Sequence, residues 1–298
     1  MSAERAALVA LDWGTSSLRG ARLDAAGRVL EQRSTPHGIL QVAPGGFAAV
    51  CAAAFGDWMD DGAVLCLVCG MAGSRQGWLE APYCPCPAGF AELAERLAWV
   101  SPGRIAIVPG LRCERDGVPD VLRGEETQII GALQLTGRLD GLFVLPGTHS
   151  KWATVQNGRV TAFRTHMTGE FYALLSRHSL LAQSVAPDAP FDGAAFDAGV
   201  GRATAGAGLL HTAFGTRTLS LFGRMEAPAL ASYLSGLVIG EELRAEAAAA
   251  GSHAVLVGAT ALTGRYARAL AAVQCSSQCL GDEAAWAGLH ALARSVHD

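Results

Sequence analysis

A short Gly-Thr-x-Ser loop occurs twice in the chain, and its residue types suit the binding of anionic oxygens. The first copy is Gly14-Thr15-Ser16-Ser17 and the second is Gly147-Thr148-His149-Ser150, and an apolar run precedes each of them. Glycine permits a tight turn, while hydroxyl and backbone N–H groups can donate hydrogen bonds to phosphate oxygens. We therefore predict that each loop follows a strand and contacts a phosphorylated ligand.

The two copies differ in the charged residue beside them. Asp12 precedes the first loop, and a carboxylate at that place can hold a hydrated Mg²⁺ ion. Lys151 follows the second loop, is the only lysine of the chain, and can neutralise a phosphoryl group as a compact point charge. Either loop alone is compatible with an ordinary β-hairpin turn, but the pair favours a clamp for a nucleoside triphosphate.

Length and charge indicate the class of protein. The chain has 298 residues, half of them hydrophobic, which is enough for two domains of about 150 residues each. Its net charge of −4 and the lack of a basic cluster argue against nucleic acid or a membrane surface as the main partner. No apolar run reaches the roughly 18 residues of a membrane span. We predict a cytoplasmic protein that acts on small molecules. This prediction leaves open whether the protein forms a homo-oligomer.

Alternating strand and helix patterns predict an α/β fold in two similar halves. Strands are predicted at 8–12, 18–24, 28–34, 63–69, 104–108, 141–145 and 254–257, with a hairpin over 152–163 that turns at Asn157-Gly158. Helices are predicted at 46–60, 88–99, 124–135, 227–250, 260–273 and 282–296. The glycine-rich stretch 187–208 lacks the Lys-Ser/Thr ending of a phosphate loop, so we predict a loop or a helix-packing segment there.

The eight cysteines predict free thiols rather than a zinc site. Cys66 and Cys69 lie in one apolar run that reads as a buried strand, where residues three apart point to opposite faces. Neither of the other closely spaced pairs has a histidine partner at zinc-finger spacing.

The order of these features resembles the actin-like ATPase and sugar kinase superfamily, in which two duplicated ribonuclease-H-like domains form an interdomain cleft. Several strings narrow the resemblance to the 2-dehydro-3-deoxygalactonokinase family over about residues 8–292. These strings are ALDWGTSSLR at 10–19, GMAGSRQGW at 70–78, APY at 81–83, PGL at 109–111, RGEETQIIGA at 123–132, LPGTHSKW at 145–152 and FRTHMTGE at 163–170.

The resemblance implies an N-terminal domain over 1–122, a C-terminal domain over 123–298, and ATP and Mg²⁺ as cofactors. It also implies a catalytic base at the start of the linking helix, just after a glycine. We predict that Glu125 is this base, with Glu126 as the alternative. Neighbouring residues of a helix point about 100° apart, so only one of the two can face the reacting groups.

The acceptor implied by the resemblance is a six-carbon sugar acid, whose carboxylate and 2-keto group call for cationic and hydrogen-bonding partners. The candidates by motif are Ser74, Arg75, Arg164, Thr168 and Glu170. An exposed salt bridge is the alternative for each arginine. For the adenosine we predict Gly258-Ala259-Thr260, which follows an apolar run at a strand-to-helix turn; a plain structural turn is the alternative.

The activity that the resemblance implies is ATP-dependent phosphorylation of 2-dehydro-3-deoxy-galactonate to its 6-phosphate in galactonate catabolism. One alternative is a kinase for a related acid such as 2-dehydro-3-deoxygluconate, which differs in the configuration of one hydroxyl. The other is an actin-like ATPase that is not a kinase. The presence of a candidate base favours the kinase.

Overall fold

A computed structural model of the chain describes residues 7–60, 64–247 and 251–297. The strand predicted over 63–69 and the helix predicted over 227–250 therefore extend outside the described residues. The chain divides into two compact units. Unit 1 comprises Met1–Gly141, Ala153–Arg164 and Leu280–Asp298, and unit 2 comprises Leu142–Trp152 and Thr165–Cys279. Among the described residues, no helix is long and apolar enough to cross a lipid bilayer.

The strands are β1 (Leu8–Trp13), β2 (Leu18–Leu23), β3 (Val29–Thr35), β4 (Leu65–Gly70), β5 (Cys84–Pro85), β6 (Ala98–Ser101), β7 (Ile105–Ile107), β8 (Leu111–Arg115), β9 (Val118–Leu122), β10 (Gly141–Leu145), β11 (Ser150–Gln156), β12 (Arg159–His166), β13 (His253–Val257) and β14 (Ser276–Leu280). The α-helices are α1 (Phe47–Phe55), α2 (Phe90–Ala94), α3 (Glu125–Thr136), α4 (Thr168–His178), α5 (Gly193–Thr204), α6 (Leu209–Thr212), α7 (Phe214–Leu221), α8 (Ala227–Ala245), α9 (Thr260–Ala272) and α10 (Glu283–His297). Short 3₁₀ helices cover Ile39–Gln41, Gly56–Trp58, Met71–Gly73 and Leu180–Gln183.

Two sheets repeat one strand order, which confirms the predicted α/β fold in two similar halves. A six-stranded sheet has the order β3-β2-β1-β4-β7-β6, and a five-stranded sheet has the order β12-β11-β10-β13-β14. In the first, β1 pairs antiparallel with β2 and parallel with β4; in the second, β10 pairs parallel with β13. Strand β4 is buried along its whole length, as is typical of a parallel strand covered on both faces.

The glycine-rich stretch 187–208 contains helix α5, which packs closely against α8 and confirms one of the two predicted alternatives. A Cβ atom on Gly199 would lie 2.1 Å from the carbonyl oxygen of Tyr233, and one on Gly236 would lie 2.1 Å from that of Phe196. Larger residues at either glycine would separate the two helices. This contact fixes the position of α8 relative to α5.

The predicted helix at 88–99 is wrong in its second half. Helix α2 ends at Ala94, and Ala98–Ser101 form strand β6, which pairs antiparallel with β7. Trp99 and Val100 belong to the aromatic and β-branched residues that favour strands, and β7 supplies their hydrogen-bonding partner. The small sheet β5-β8-β9 and strand β14 were not predicted either, because such short segments carry little periodicity. Helix α4 was also missed.

Candidate active site

The first Gly-Thr-x-Ser loop connects β1 to β2 at the carboxyl end of β1. The N–H of Gly14 donates to the carbonyl oxygen of Ser17 over 2.9 Å, which closes the turn. The N–H of Ile39 donates to the Gly14 carbonyl oxygen over 3.0 Å and so ties the loop to the segment that follows β3. Thr15 and Ser16 are exposed. The loop therefore presents two hydroxyls at the strand edge where open α/β sheets bind ligands.

Asp12 lies in β1 beside this loop and is held through one carboxylate oxygen. Its Oδ2 accepts a hydrogen bond from Nη2 of Arg19 over 2.5 Å, and Nη1 of Arg19 also donates to Asp282 over 2.5 Å. Among the described residues, none donates to Oδ1 of Asp12. The arginine thus orients the carboxylate and leaves one oxygen for a cation.

The start of α3 touches the end of β4 next to Asp12. Gly70 has a φ of +89° and Gly124 a φ of +102°. A Cβ atom on Gly124 would lie 3.2 Å from the Cα of Gly70, and one on Gly70 would lie 3.2 Å from Oδ1 of Asp12. Unit 1 therefore brings together Asp12 and the helix terminus that carries Glu125 and Glu126.

The two glutamates have different surroundings. Glu126 is completely buried; its Oε2 accepts from the Gly124 N–H over 2.6 Å and its Oε1 accepts from the hydroxyl of Thr127 over 3.0 Å. Glu125 is only half-buried, and its Oε2 accepts from the backbone N–H of Arg123 over 2.9 Å. Burial, together with the charge of Glu125, raises the pKa of Glu126 to about 8. This carboxyl is therefore mostly protonated at neutral pH.

We expect Glu126 to make the stability of the protein fall as pH rises. Its pKa is about 4.5 in the unfolded chain and about 8 in the folded one. Between these values the folded state binds more protons than the unfolded state, so the free energy of unfolding decreases by up to about 1.4 kcal/mol per pH unit. Below and above this window the contribution is constant.

The measurement is urea unfolding at a series of pH values from 5 to 8.5. Glu126→Gln, which resembles the protonated acid, should flatten the slope, whereas Glu95→Gln at an exposed position of unit 1 should not. An unchanged slope in Glu126→Gln would refute the raised pKa.

The second Gly-Thr-x-Ser loop connects β10 to β11 in unit 2. Thr148 and His149 are exposed, while Ser150 and Lys151 are buried at the start of β11. Lys151 is only 5% exposed, and its amine donates to the carbonyl oxygen of His149 over 3.2 Å. The lysine charge therefore lies directly behind the backbone of the loop.

Helix α4 supports the second loop through its first turn. A Cβ atom on Gly169 would lie 2.4 Å from the carbonyl oxygen of Gly147. The N–H of Glu170 donates to the carbonyl oxygen of Thr148 over 3.0 Å, and its Oε2 lies 2.6 Å from Nε2 of His149. The structure thus brings Thr168 and Glu170, both predicted to bind substrate, against the second loop.

Glu242 on α8 is a buried acid that the sequence reasoning missed. One carboxylate oxygen accepts from the Ser150 hydroxyl over 2.7 Å and from the indole N–H of Trp152. The other accepts from the Tyr266 hydroxyl over 2.6 Å and from the Thr168 hydroxyl. The carboxylate therefore ties the second loop to α4 and α9, and the hydroxyl protons of Ser150 and Thr168 are already engaged. An acid inside the apolar run LSGLVIGEEL was the available signal.

We expect Glu242→Gln to destabilise the protein by about 2–3 kcal/mol, because four hydrogen bonds to a buried carboxylate become weaker bonds to a neutral amide. The neighbouring Glu241 pairs with Arg244 at the surface, so Glu241→Gln should cost less than about 1 kcal/mol. Urea unfolding of both variants compares them. Equal effects would contradict the central role of Glu242.

The Gly258-Ala259-Thr260 turn lies beside the second loop. Because β10 and β13 run parallel, their carboxyl ends are adjacent, and a Cβ atom on Gly258 would lie 3.6 Å from the carbonyl oxygen of Pro146. A cavity of about 230 Å³ lies within unit 2, and its lining reaches Leu262 of α9 but includes none of the three turn residues. It is lined by Gly147, Thr148, Thr168, Gly169, Tyr172, Ser235, Val238, Ile239, Leu262, Arg265 and Tyr266. Its aliphatic and aromatic walls beside a polar loop suit a nucleoside.

Three further predicted residues lie in unit 1. The side chain of Arg75 is 89% exposed, with its Nε 3.5 Å from Glu80, which matches the alternative of a surface salt bridge. Arg164 is half-buried at the end of β12. The Ser74 hydroxyl is buried and receives no partner among the described residues. Their roles in substrate binding stay predictions.

The cysteines, all within the described residues, form no disulfide bonds. All eight are free thiols, and burial raises the pKa of Cys86 to about 12 and that of Cys84 above its ordinary value. Within the described ranges, no group of three or more His, Cys, Asp and Glu side chains could hold a metal ion.

Comparison with known proteins identifies the family. The model of the 2-keto-3-deoxy-galactonokinase family matches residues 12–292. The 2-dehydro-3-deoxygalactonokinase of Escherichia coli K12 is 37% identical over 291 residues, which cover 97% of this chain and 98% of that protein. A crystal structure described as a 2-dehydro-3-deoxygalactonokinase from Sinorhizobium meliloti superposes with a TM-score of 0.90 at 37% identity, over 97% of this chain and 99% of that one.

A more distant similarity concerns the fold alone. The activator of 2-hydroxyisocaproyl-CoA dehydratase from Clostridium difficile superposes with a TM-score of 0.51 at 11% identity, over 97% of this chain and 93% of that one. The match to the kinase family is much stronger, since its relatives are 37% identical and its family model includes both loops and helix α3. The chain therefore belongs to the 2-keto-3-deoxy-galactonokinase family.

Proposed function

We propose that the protein transfers the γ-phosphoryl group of ATP to the 6-hydroxyl of 2-dehydro-3-deoxy-galactonate, in the breakdown of galactonate. The observation that carries the proposal is the family match over residues 12–292, which contains both Gly-Thr-x-Ser loops and the acidic start of α3. Phosphoryl transfer depends on positioning, on neutralisation of phosphate charge and on a group that accepts the hydroxyl proton.

ATP is assigned to the groups of unit 2. The second loop and Lys151 supply backbone N–H groups and a positive charge for phosphates. The cavity of about 230 Å³ in unit 2 accepts the adenosine, with Tyr172 and Leu262 among its apolar walls. Glu242 holds the second loop against α4 and α9, because it accepts hydrogen bonds from Ser150, Thr168 and Tyr266.

Asp12 is assigned to Mg²⁺, which would offset the charge of the phosphates. A single carboxylate is a suitable protein ligand because Mg²⁺ keeps several waters and takes further oxygens from the substrate phosphates. The free Oδ1 fits this role, while Arg19 holds Oδ2. The hydroxyls of Thr15 and Ser16 lie on the same loop.

Glu125 is assigned as the group that accepts the proton of the 6-hydroxyl. It is half-buried at the helix terminus beside Asp12, whereas Glu126 is completely buried and its two oxygens are bonded to Gly124 and Thr127. The greater exposure of Glu125 supports this assignment, because a base must reach the proton that it removes.

The test is a product assay with ATP and a panel of 3-deoxy-2-keto sugar acids and ordinary hexoses. We expect rapid phosphorylation of the galactonate-derived acid at its 6-position, identified by mass spectrometry and phosphorus NMR. Faster turnover of the gluconate-derived epimer would assign that substrate instead. ATP hydrolysis without any phosphorylated sugar would overturn the proposal.

A further inference from the structure

Among the described residues, four side chains in unit 1 carry buried donor groups without an acceptor, and two of them lie close to the start of α3 or the end of β4. These two are Arg123, whose Nε and Nη1 atoms lack a partner, and Ser74, whose hydroxyl lacks one. In the described part of the chain, Arg123 forms no ion pair with a carboxylate. A buried donor without an acceptor costs about 1–3 kcal/mol, and more when it is charged, so such groups call for an explanation.

The Arg123 guanidinium is nevertheless held in one position. Its Nη2 donates to the carbonyl oxygen of Ala81 over 2.8 Å, and its central carbon lies 4.2 Å from the centre of the Tyr83 ring. A Cβ atom on Gly73 would lie 2.6 Å from Nη1, so the absence of a side chain there makes room for the guanidinium. These contacts fix the arginine and leave its Nε and Nη1 without an acceptor. Its Nη1 lies close to Gly73, the residue before Ser74.

The position of this pair relative to the reacting groups is also informative. Arg123 directly precedes Gly124, which contacts Gly70 beside Asp12. Ser74 follows the 3₁₀ turn at the end of β4. The pair therefore belongs to the segments that directly adjoin the proposed metal ligand and base, at the end of β4 and the start of α3.

We propose that Arg123 and Ser74 bind the carboxylate of the sugar acid, an inference that rests on the proposed function. A carboxylate is the acceptor that pairs best with a planar guanidinium, through charge-assisted hydrogen bonds. The exposed Arg75 faces Glu80, whereas Arg123 has no such ion pair within residues 7–60, 64–247 and 251–297. Binding of an acid thus satisfies the orphaned donors and selects acids over neutral sugars.

The experiment compares the sugar acid with its C1 carboxamide, which keeps the shape and loses the charge. Calorimetry in the presence of a non-hydrolysable ATP analogue measures both dissociation constants for the wild type, for Arg123→Gln and for the control Arg115→Gln. Arg115 is an exposed arginine of the same unit, paired with Asp116. We expect Arg123→Gln to weaken binding of the acid by about 10²-fold, to change binding of the amide by less than about threefold and to leave the nucleotide affinity unchanged. Arg115→Gln should match the wild type.

Ser74→Ala gives a second, independent test. Because it removes an unsatisfied buried hydroxyl, we expect the melting temperature to stay constant or rise while binding of the acid weakens by about tenfold. A purely structural role for Ser74 predicts the reverse pattern, and that pattern would overturn its part in the proposal.

The outcomes separate the carboxylate site from the kinase assignment. Binding of the acid that depends on Arg123, without phosphorylation, would overturn the proposed function and support the carboxylate site. Phosphorylation with equal losses for acid and amide in Arg123→Gln, or with none, would overturn the site and keep the function. Failure of the wild type to bind any sugar acid would overturn both.

Discussion

An Asp12→Ala variant is expected to lose about 10³-fold or more in kcat while it still folds. Asp12 is the acid assigned to Mg²⁺, and stabilisation of phosphate charge by a metal contributes several kcal/mol, each 1.4 kcal/mol being about a factor of ten. The fold should persist because Arg19, the partner that loses its acid, remains bonded to Asp282. Steady-state kinetics across a range of Mg²⁺ concentrations, with circular dichroism as the check on folding, measures the effect.

Asp282 provides the matched control for this variant. It bonds the same arginine, but its side chain is 55% exposed. Asp282→Asn should therefore keep kcat within about threefold of the wild type, since a surface ion pair contributes little. If Asp12→Ala turned over within threefold of the wild type, or if Asp282→Asn were equally impaired, Asp12 would have no part in the chemistry.

Glu125→Gln is expected to lower kcat by about 10² to 10⁴, the usual contribution of general-base catalysis, with little change in the binding of ATP or sugar acid. Glutamine keeps the shape of the side chain and can still accept from the Arg123 N–H, but it cannot take a proton. Because the transition state of phosphoryl transfer is loose, a loss of only about tenfold is also compatible with the role.

Glu126→Gln serves as the internal comparison, one residue further along the same helix. Its carboxyl is buried and mostly protonated at neutral pH, so the amide should preserve turnover and alter the pH dependence of stability instead. An inactive Glu126→Gln beside a normal Glu125→Gln would reverse the assignment. Single-turnover measurements separate chemistry from product release in both variants.

The elements that carry the candidate site could largely be predicted from local sequence, because its residues lie at the ends of strongly patterned strands and helices. Both Gly-Thr-x-Ser loops follow apolar runs, and the structure places them after β1 and β10. The helix that begins at Glu125 was predicted within one residue at each end. The boundary between domains after residue 122 stays a prediction.

The hydrogen-bonding partners of the candidate site residues could not be predicted from local sequence. Arg19 bonds two acids. Asp12 lies seven residues from Arg19 along a hairpin, whereas Asp282 lies 263 residues from it. Glu242 lies 92 residues from Ser150 and 74 from Thr168. Pairings at such separations depend on how helices and strands pack, which local pattern does not encode.

The sequence by itself indicated most of the strands and helices, the two loops and the acids beside them, because backbone preference and hydrophobic periodicity act over a few residues. Tertiary structure alone decided which of two neighbouring glutamates is buried, since the close contact of Gly124 with Gly70 sets how the helix start faces the sheet. It also decided that Arg123 has donors to spare while Arg75 faces solvent. Burial and the satisfaction of hydrogen bonds depend on every surrounding element, so they exist only once the chain has folded.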